Sequence, residues 1–431
     1  MIVLVAVVML FVVGAMAALS IDVVTFYTAR SEAQLAADSA ALAGARVLAN
    51  SGATSDATGT LLTAATTSTS PAQTVAVQVA TQNQVGGTNL TSSNVTVAFG
   101  GITPPYTNPT VTVSVQASLP TFFARIWGST QVTVAASATA EAYNPSPVAT
   151  ANNGSTPVAP ICVKPWLLPN IDPTSPPLSP TAIFDRTTGA ISDQNLLGWT
   201  SSNATPQLRV ACANGNCSGT LPNPTAWKYY PSDPATTFPP PAVYPTCTPA
   251  LSTSYEESVA GCVQTAIACN DSAANIDTSN YPNRDPETAE AVNCLTHAAN
   301  RGGGDTVTTT APPAAPLEFV AGDDNPFVLT GAASAGADIM VSDSLVTVPV
   351  YDVGPGAPPY GPPPATNVPI IGFVQLFLNP NGRATRLFGP NKYLVNTTVI
   401  NMAGCGTPGS TAQAILGNGA SPVAVRLISP P

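Results

Sequence analysis

Ile2 to Ile21 reads IVLVAVVMLFVVGAMAALSI, a run without a single charge. About 20 apolar residues rising 1.5 Å each cross the roughly 30 Å hydrocarbon core of a bilayer. A core helix of a soluble domain keeps a polar face, and this run has none. It is therefore expected to enter a membrane. Ala15-Met16-Ala17 has the small-x-small spacing of a signal-peptidase site, so cleavage after Ala17 is the competing expectation. No basic residue precedes the run, and the sequence after it stays helical in character. Thr25 to Ala49 contains no proline, one glycine (Gly44) and many alanines. A single helix passing from the bilayer into the following domain is predicted, retained as an anchor. Leu35, Leu42 and Ala49 recur at sevens and mark its expected apolar stripe.

The rest of the chain is unusual for what it lacks. Only 8% of its 431 residues are charged, against roughly 25% in soluble domains. The 45 prolines are in excess, and Ser, Thr, Asn and Gly replace the missing charge. That excludes coiled coils and helical solenoids, whose wet faces need Lys, Glu and Arg. The apolar share of 44% excludes a disordered polyelectrolyte. Net charge is −10, and the only lysines are Lys164, Lys228 and Lys392, so no basic patch for nucleic acid exists. The lone histidine, His297, rules out a multi-histidine metal site. Arg30 and Arg46 follow the apolar run, which by the positive-inside rule would leave the large domain in the cytoplasm.

The cysteines point the other way. There are eight: Cys162, Cys212, Cys217, Cys247, Cys262, Cys269, Cys294 and Cys405. An even number in a loop-rich segment suggests disulfides and an oxidising compartment. Cys212 and Cys217 flank a turn and are expected to form a local clip. Cys162 and Cys405 are expected to close the large domain, leaving the four between 247 and 294 to pair among themselves. Without a CxxC, neither a zinc ribbon nor a thioredoxin-type motif is supported. Cys294-Leu-Thr-His297 is read as a disulfide cysteine beside an incidental histidine. Glu256-Glu257 and Asp323-Asp324 are candidates for a carboxylate pair but are adjacent, so a strand would point them to opposite faces; Asp323-Asp324-Asn325 offers oxygens for calcium but lacks an EF-hand pattern and is read as a polar turn. No catalytic, cofactor or metal residue is expected.

Alternation and turn residues give the layout. Pro71 followed by Gly86-Gly87 predicts a short helix within 71–85. Residues 94–99, 109–116 and 131–141 alternate as strands, and 119–128 reads as a short helix between the last two. Residues 143–160 form a Pro/Ser/Asn linker. Beyond it, helices are predicted over 254–269 and 286–300, the second capped by Asp285 with Pro286 in its first position. Strands are predicted over 344–351, 370–378 and 394–402, with Pro349 placing the first at a sheet edge. The expected class is α+β: a membrane helix (1–21) continuing as a proximal helix (22–50), a small antiparallel α+β module (51–143), a linker (144–160) and a disulfide-bonded, mainly-β region (161–431).

Asp22, Tyr27 and Arg30, followed by Leu35-Ala-Ala-Asp38 and Ala40-Ala-Leu-Ala43, resemble the Tad/Flp pilus-assembly family of TadE/TadG-like proteins. Pro120-Thr-Phe-Phe-Ala-Arg-Ile-Trp-Gly128 and Val132-Thr-Val-Ala-Ala-Ser-Ala-Thr-Ala140 are similar to the family's later motif, and Val346–Asp352, Gly372–Gln375 and Asn401–Cys405 look like the C-terminal part of longer members. Members usually carry basic residues before the apolar helix, and here that flank is missing, which implies a displaced start or a real departure. No prepilin-peptidase site and no Asp-x-Ser-x-Ser metal motif occur; Asp277-Thr-Ser-Asn-Tyr281 comes nearest. The resemblance implies a non-enzymatic, single-pass protein of the bacterial inner membrane. Its large domain would be periplasmic or extracellular, and its helix would contact pilus-assembly or pilin-like partners. The small residues Ala36, Ala37, Ala40, Ala41 and Gly44 would pack on the chain's own sheet or on a partner helix. A secreted or surface-displayed adhesin or hydrolase, with the apolar run as its signal peptide, is the alternative.

Overall fold

In the computed structural model residues 2–50 form one helix, α1 (Ile2–Asn50). The structure describes residues 2–56, 58–103, 108–145, 158–175, 181–193, 195–198, 207–210, 226–232, 247, 250–263, 265–269, 281–298, 303–308, 316–352, 369–389, 392–405, 415–416 and 421–428. The apolar stretch of α1 is bare, and the rest of the helix is sealed along one side. Ala29, Ala33, Ala36, Ala37, Ala40, Ala41 and Ala45 are all fully buried. Of the seven-residue stripe, Ala49 is fully buried and Leu42 packs half-buried against the core, but Leu35 is 64% exposed, and alanines carry most of the contact. A short Cβ lets the helix axis come closer to a sheet than leucine would allow.

That sheet is built from β1 (Val95–Gly100), β2 (Thr110–Pro120) and β3 (Gln131–Tyr143), all antiparallel. Strict alternation puts Val111, Val113, Val115, Ala117 and Leu119 under α1. The opposite face carries cross-strand hydroxyl pairs, Thr112–Thr139 and Ser114–Ser137. Between β2 and β3 the predicted helix shrinks to a single turn, Ala124–Trp127, because β2 runs on through Pro120. The helix α2 (Pro71–Thr81) starts where predicted. The Ser70 hydroxyl accepts from the Gln73 N–H, and Ala72, Ala76 and Ala80 are buried. All five elements share one hydrophobic core.

The second sheet has six strands. In chain order these are β4 (Trp166–Pro169), β5 (Gln207–Val210), β6 (Ala226–Pro231), β7 (Leu345–Tyr351), β8 (Ile370–Leu378) and β9 (Thr397–Gly404). In space they run β9-β8-β7-β4-β6-β5. β7 is thus internal, not an edge. Its proline is tolerated because pairing with β4 is confined to Val350 and Tyr351, with one isolated bridge at Thr347. The carbonyls of Thr347 and Tyr351 both face the β4 side, so alternation points Pro349 into the gap between them.

Two helices pack with this sheet, and both differ from expectation. α3 (Ser254–Ala260) stops early, as Gly261 turns extended and Cys262 is tied elsewhere. α4 (Tyr281–Leu295) begins sooner, so Pro286 sits inside it. The last strand, β10 (Ala424–Ile428), returns to the first sheet and pairs antiparallel with β3 along 139–143. The whole is α+β, with helices on antiparallel and mixed sheets.

Three disulfides join the described cysteines: Cys162–Cys262, Cys247–Cys294 and Cys269–Cys405. Cys162 therefore does not bond Cys405, and of the four cysteines between 247 and 294 only one pair closes on itself. Spacing could not give this, because 100 and 136 residues separate two of the pairs. The proposed Cys212–Cys217 clip lies outside the described residues.

Candidate functional site

Asp22 is the residue that follows the apolar run, and it is 1% exposed. Its Oδ1 accepts from the Phe122 N–H at 3.1 Å. Its Oδ2 accepts from Phe123 and Ala124 at 3.0 and 2.8 Å. These donors come from the turn between β2 and β3, where a helix-like bend leaves backbone N–H groups without internal partners. Burial opposes the charge on Asp22. The three N–H bonds and the neighbouring Arg125 outweigh it and hold the carboxyl below its ordinary range. The aspartate thus latches the helix to the sheet at the point where α1 leaves its bare segment. Beside it, Phe122 is 63% exposed.

A second tether lies further along α1. Glu32 Oε2 accepts from the Gly86 N–H at 2.6 Å. Gly86 and Gly87 both have positive φ, 59° and 75°, as the tight turn between Gln84–Val85 and Thr88–Asn89 requires. At the far end of α1, Asn401 on β9 acts as a hub. Its Nδ2 donates to Ala49 O at 2.7 Å and to Gln375 Oε1 at 2.6 Å. Ser55 Oγ accepts from the Met402 N–H at 2.9 Å. The part of the helix from Asp22 onward is therefore fixed at both its ends and in the middle, and its direction is set by the folded domain.

The outward side of α1 is left free for other contacts. Val24, Tyr27 and Leu35 fall on one helical face and are 64%, 78% and 64% exposed. Arg30 is also exposed. Asp38 is half-buried and accepts from Gln34 Nε2 at 2.7 Å. Of the motif residues, Asp22 faces the sheet and Tyr27, Arg30 and Leu35 face away from it. Sequence reasoning missed Glu32 and Asn401. The Gly86-Gly87 turn was visible, but nothing local pairs a glutamate with a turn more than fifty residues on.

Glu256, Asn325, Cys294 and His297 each have a structural partner, whereas Asp324 Oδ2 is buried without a hydrogen-bond partner. Glu256 Oε2 accepts from the N–H groups of Ser252 and Thr253, closing a capping box on α3. Asn325 caps the short helix Pro326–Leu329 and bonds Asp305. Cys294 is bridged to Cys247. His297 Nε2 lies 2.9 Å from Asp343 Oδ2, and that hydrogen bond raises the imidazole pKa. Among the described residues no group of three or more His, Cys, Asp or Glu could hold a metal.

By length and composition α1 is the one helix among the described residues able to cross a membrane. Residues 1–47, nearly all of α1, match the family described as putative Flp pilus-assembly TadE/G-like. No curated protein and no solved structure matches the chain.

Proposed function

We propose that this protein is a non-enzymatic, single-pass component of a Tad/Flp-type pilus or a related secretion apparatus. It acts as a minor pilin-like subunit or assembly factor from the inner membrane. The observation that carries the reading is the division of the family-matched helix. Its first part is bare and apolar, and its second is sealed on its own sheet by an alanine stripe and the Asp22 latch. Both segments belong to one unbroken helix, Ile2–Asn50. The bare part would sit in the bilayer, with Phe122 and Tyr27 at the interface, where aromatic rings anchor. The Val24–Tyr27–Leu35 face would meet a partner helix as the span emerges. The region from 161 onward, cross-linked by disulfides, would stand outside the cytoplasm.

Intact mass of the protein from native membranes, with and without reduction, tests the anchoring. The expected result is a chain retaining Ile2–Ala17 with its six described bridging cysteines oxidised. A chain beginning at Ala18 would overturn the anchor and restore the secreted adhesin or hydrolase. Free thiols throughout would overturn the exported topology. The assembly role is tested by Leu35→Arg, which alters an exposed face without touching the core. Filament number is expected to fall while protein level and oxidation state stay normal. Unchanged filaments would refute a partner on that face.

A further inference from the structure

A cavity of about 420 Å³ lies where the end of α1 meets the second sheet, beside the Cys162–Cys262 bridge. Its polar groups are unusual because several have nothing to bond. Arg46 Nε, Gln375 Nε2 and Asn50 Oδ1 are buried without a hydrogen-bond partner. Lys164 is 4% exposed; its ammonium, with three protons to give, donates to Gly261 O at 2.7 Å. Among the described residues the only acidic side chain on the lining is Asp343, and it is engaged by His297. The remaining wall is apolar, including Leu295, Pro326, Val341 and Leu345.

Buried polar groups are almost always satisfied, so a cluster of unsatisfied ones calls for a ligand with complementary atoms. An unpartnered guanidinium N–H on Arg46 and an unpartnered amide N–H on Gln375, beside the remaining protons of Lys164, call for an anion. A planar carboxylate suits a guanidinium and an ammonium together. The unmatched Asn50 oxygen calls for a donor on the same ligand. An amide N–H next to a carboxylate supplies both, and the apolar wall takes a side chain between them.

We propose that this cavity binds the C-terminal carboxylate of a peptide chain ending in an apolar residue, held by Arg46, Lys164 and Gln375, with Asn50 accepting the last peptide N–H. Carboxylate capture of this kind is a known mode of peptide recognition. The site lies at the far end of α1 from the bare span, so it is separate from the helix-face contact and does not depend on it.

The test is calorimetric titration of the full chain in detergent micelles with three probes. N-acetyl-leucine carries both groups, N-acetyl-leucinamide lacks the carboxylate, and 4-methylpentanoate lacks the N–H. N-acetyl-leucine is expected to bind at least about tenfold more tightly than either analogue, the loss set by one charged hydrogen bond or one buried partner. Arg46→Met, which keeps the stem and removes the guanidinium, is expected to weaken it by a similar factor. Equal binding of acid and amide would overturn the anion site. Equal binding of N-acetyl-leucine and 4-methylpentanoate would overturn the peptide terminus in favour of a free carboxylate. No heat with any probe would overturn the site. If Arg46→Met loses its near-UV dichroism, the probe series on the unaltered protein still decides.

Discussion

Gly44 offers the sharpest test of how α1 is held. A Cβ placed there would lie 3.0 Å from Val111 Cγ1, and 3.3 Å from both Ala72 O and Ala76 Cβ. Replacing glycine by alanine inside a helix ordinarily gains about 1 kcal/mol. Overpacking a closed core costs about 1–3 kcal/mol. Here the second effect wins, because none of the three neighbours can turn away. One is a backbone carbonyl, one is the first atom of its side chain, and Val111 is stiff at χ1. Gly44→Ala is expected to destabilise by about 1 kcal/mol, and Gly44→Leu by more than about 3 kcal/mol. The assay is denaturant unfolding of the full chain in mild detergent, followed by near-UV dichroism. Val111→Ala alone should cost about 1–3 kcal/mol, from about 0.5–1.5 per buried methyl. Combined with Gly44→Ala it should cost less than the sum, by about 0.5–1 kcal/mol, because the removed methyl is the one the new Cβ meets. A gain of about 1 kcal/mol from Gly44→Ala, or strict additivity in the cycle, would mean that α1 does not press on this sheet.

Asp22→Asn leaves one oxygen for three N–H donors, so the turn at 121–130 should be cut faster by protease while membrane extraction is unchanged; equal cutting rates would remove the latch. Because the Asp22 carboxyl is held below its ordinary range, the latch contributes fully above that range and is lost as pH falls through the lowered value. Burial lowers the Lys164 pKa from 10.5 to about 7, only partly offset by Asp343, so the unfolded chain holds this proton more tightly. Stability should therefore rise with pH between about 7 and 10.5. Near pH 7 the burial costs on the order of 4 kcal/mol; after the bond to Gly261 O is lost, Lys164→Met should gain about 1–3 kcal/mol, and a lower midpoint would contradict this. Asn401→Leu strands Ala49 O and the Gln375 amide, and should lower unfolding free energy by about 2–5 kcal/mol; a change below about 1 would show the hub to be dispensable. Peptide mapping without reduction should recover Cys162–Cys262 and Cys269–Cys405, and a Cys162–Cys405 peptide would refute the connectivity.

What could be read beforehand had a local cause. The run Ile2–Ile21, the Pro71 start and the period-two strands read over 94–99 and 109–116 each carry their signal within a few residues, and each formed to within a residue or a few. Asp22 was legible as a motif residue and as an interfacial acid, but not as the acceptor of three N–H groups a hundred residues away. Of the stripe at sevens only Leu35 misled, because leucine outranks alanine in hydrophobicity, whereas close helix–sheet approach selects for small volume. Pro349 misled because its effect depends on which side of β7 is unpaired, a property of the sheet and not of the strand. Disulfide partners, the Asn401 hub and the return of β10 are all long-range pairings. No composition or spacing encodes them.

The return of β10 gives the folding of this chain an order of completion. β3 is synthesised early with one edge open, offering unpaired N–H and C=O groups to any extended chain nearby. The strand that fills the edge lies beyond the entire second sheet. Until Ala424–Ile428 has folded back, the module that grips α1 is unfinished. A product that stalls or is clipped before that strand would present a sticky edge, which proteases or a neighbouring strand would find. The last described strand is thus tied into the same sheet that holds the first helix.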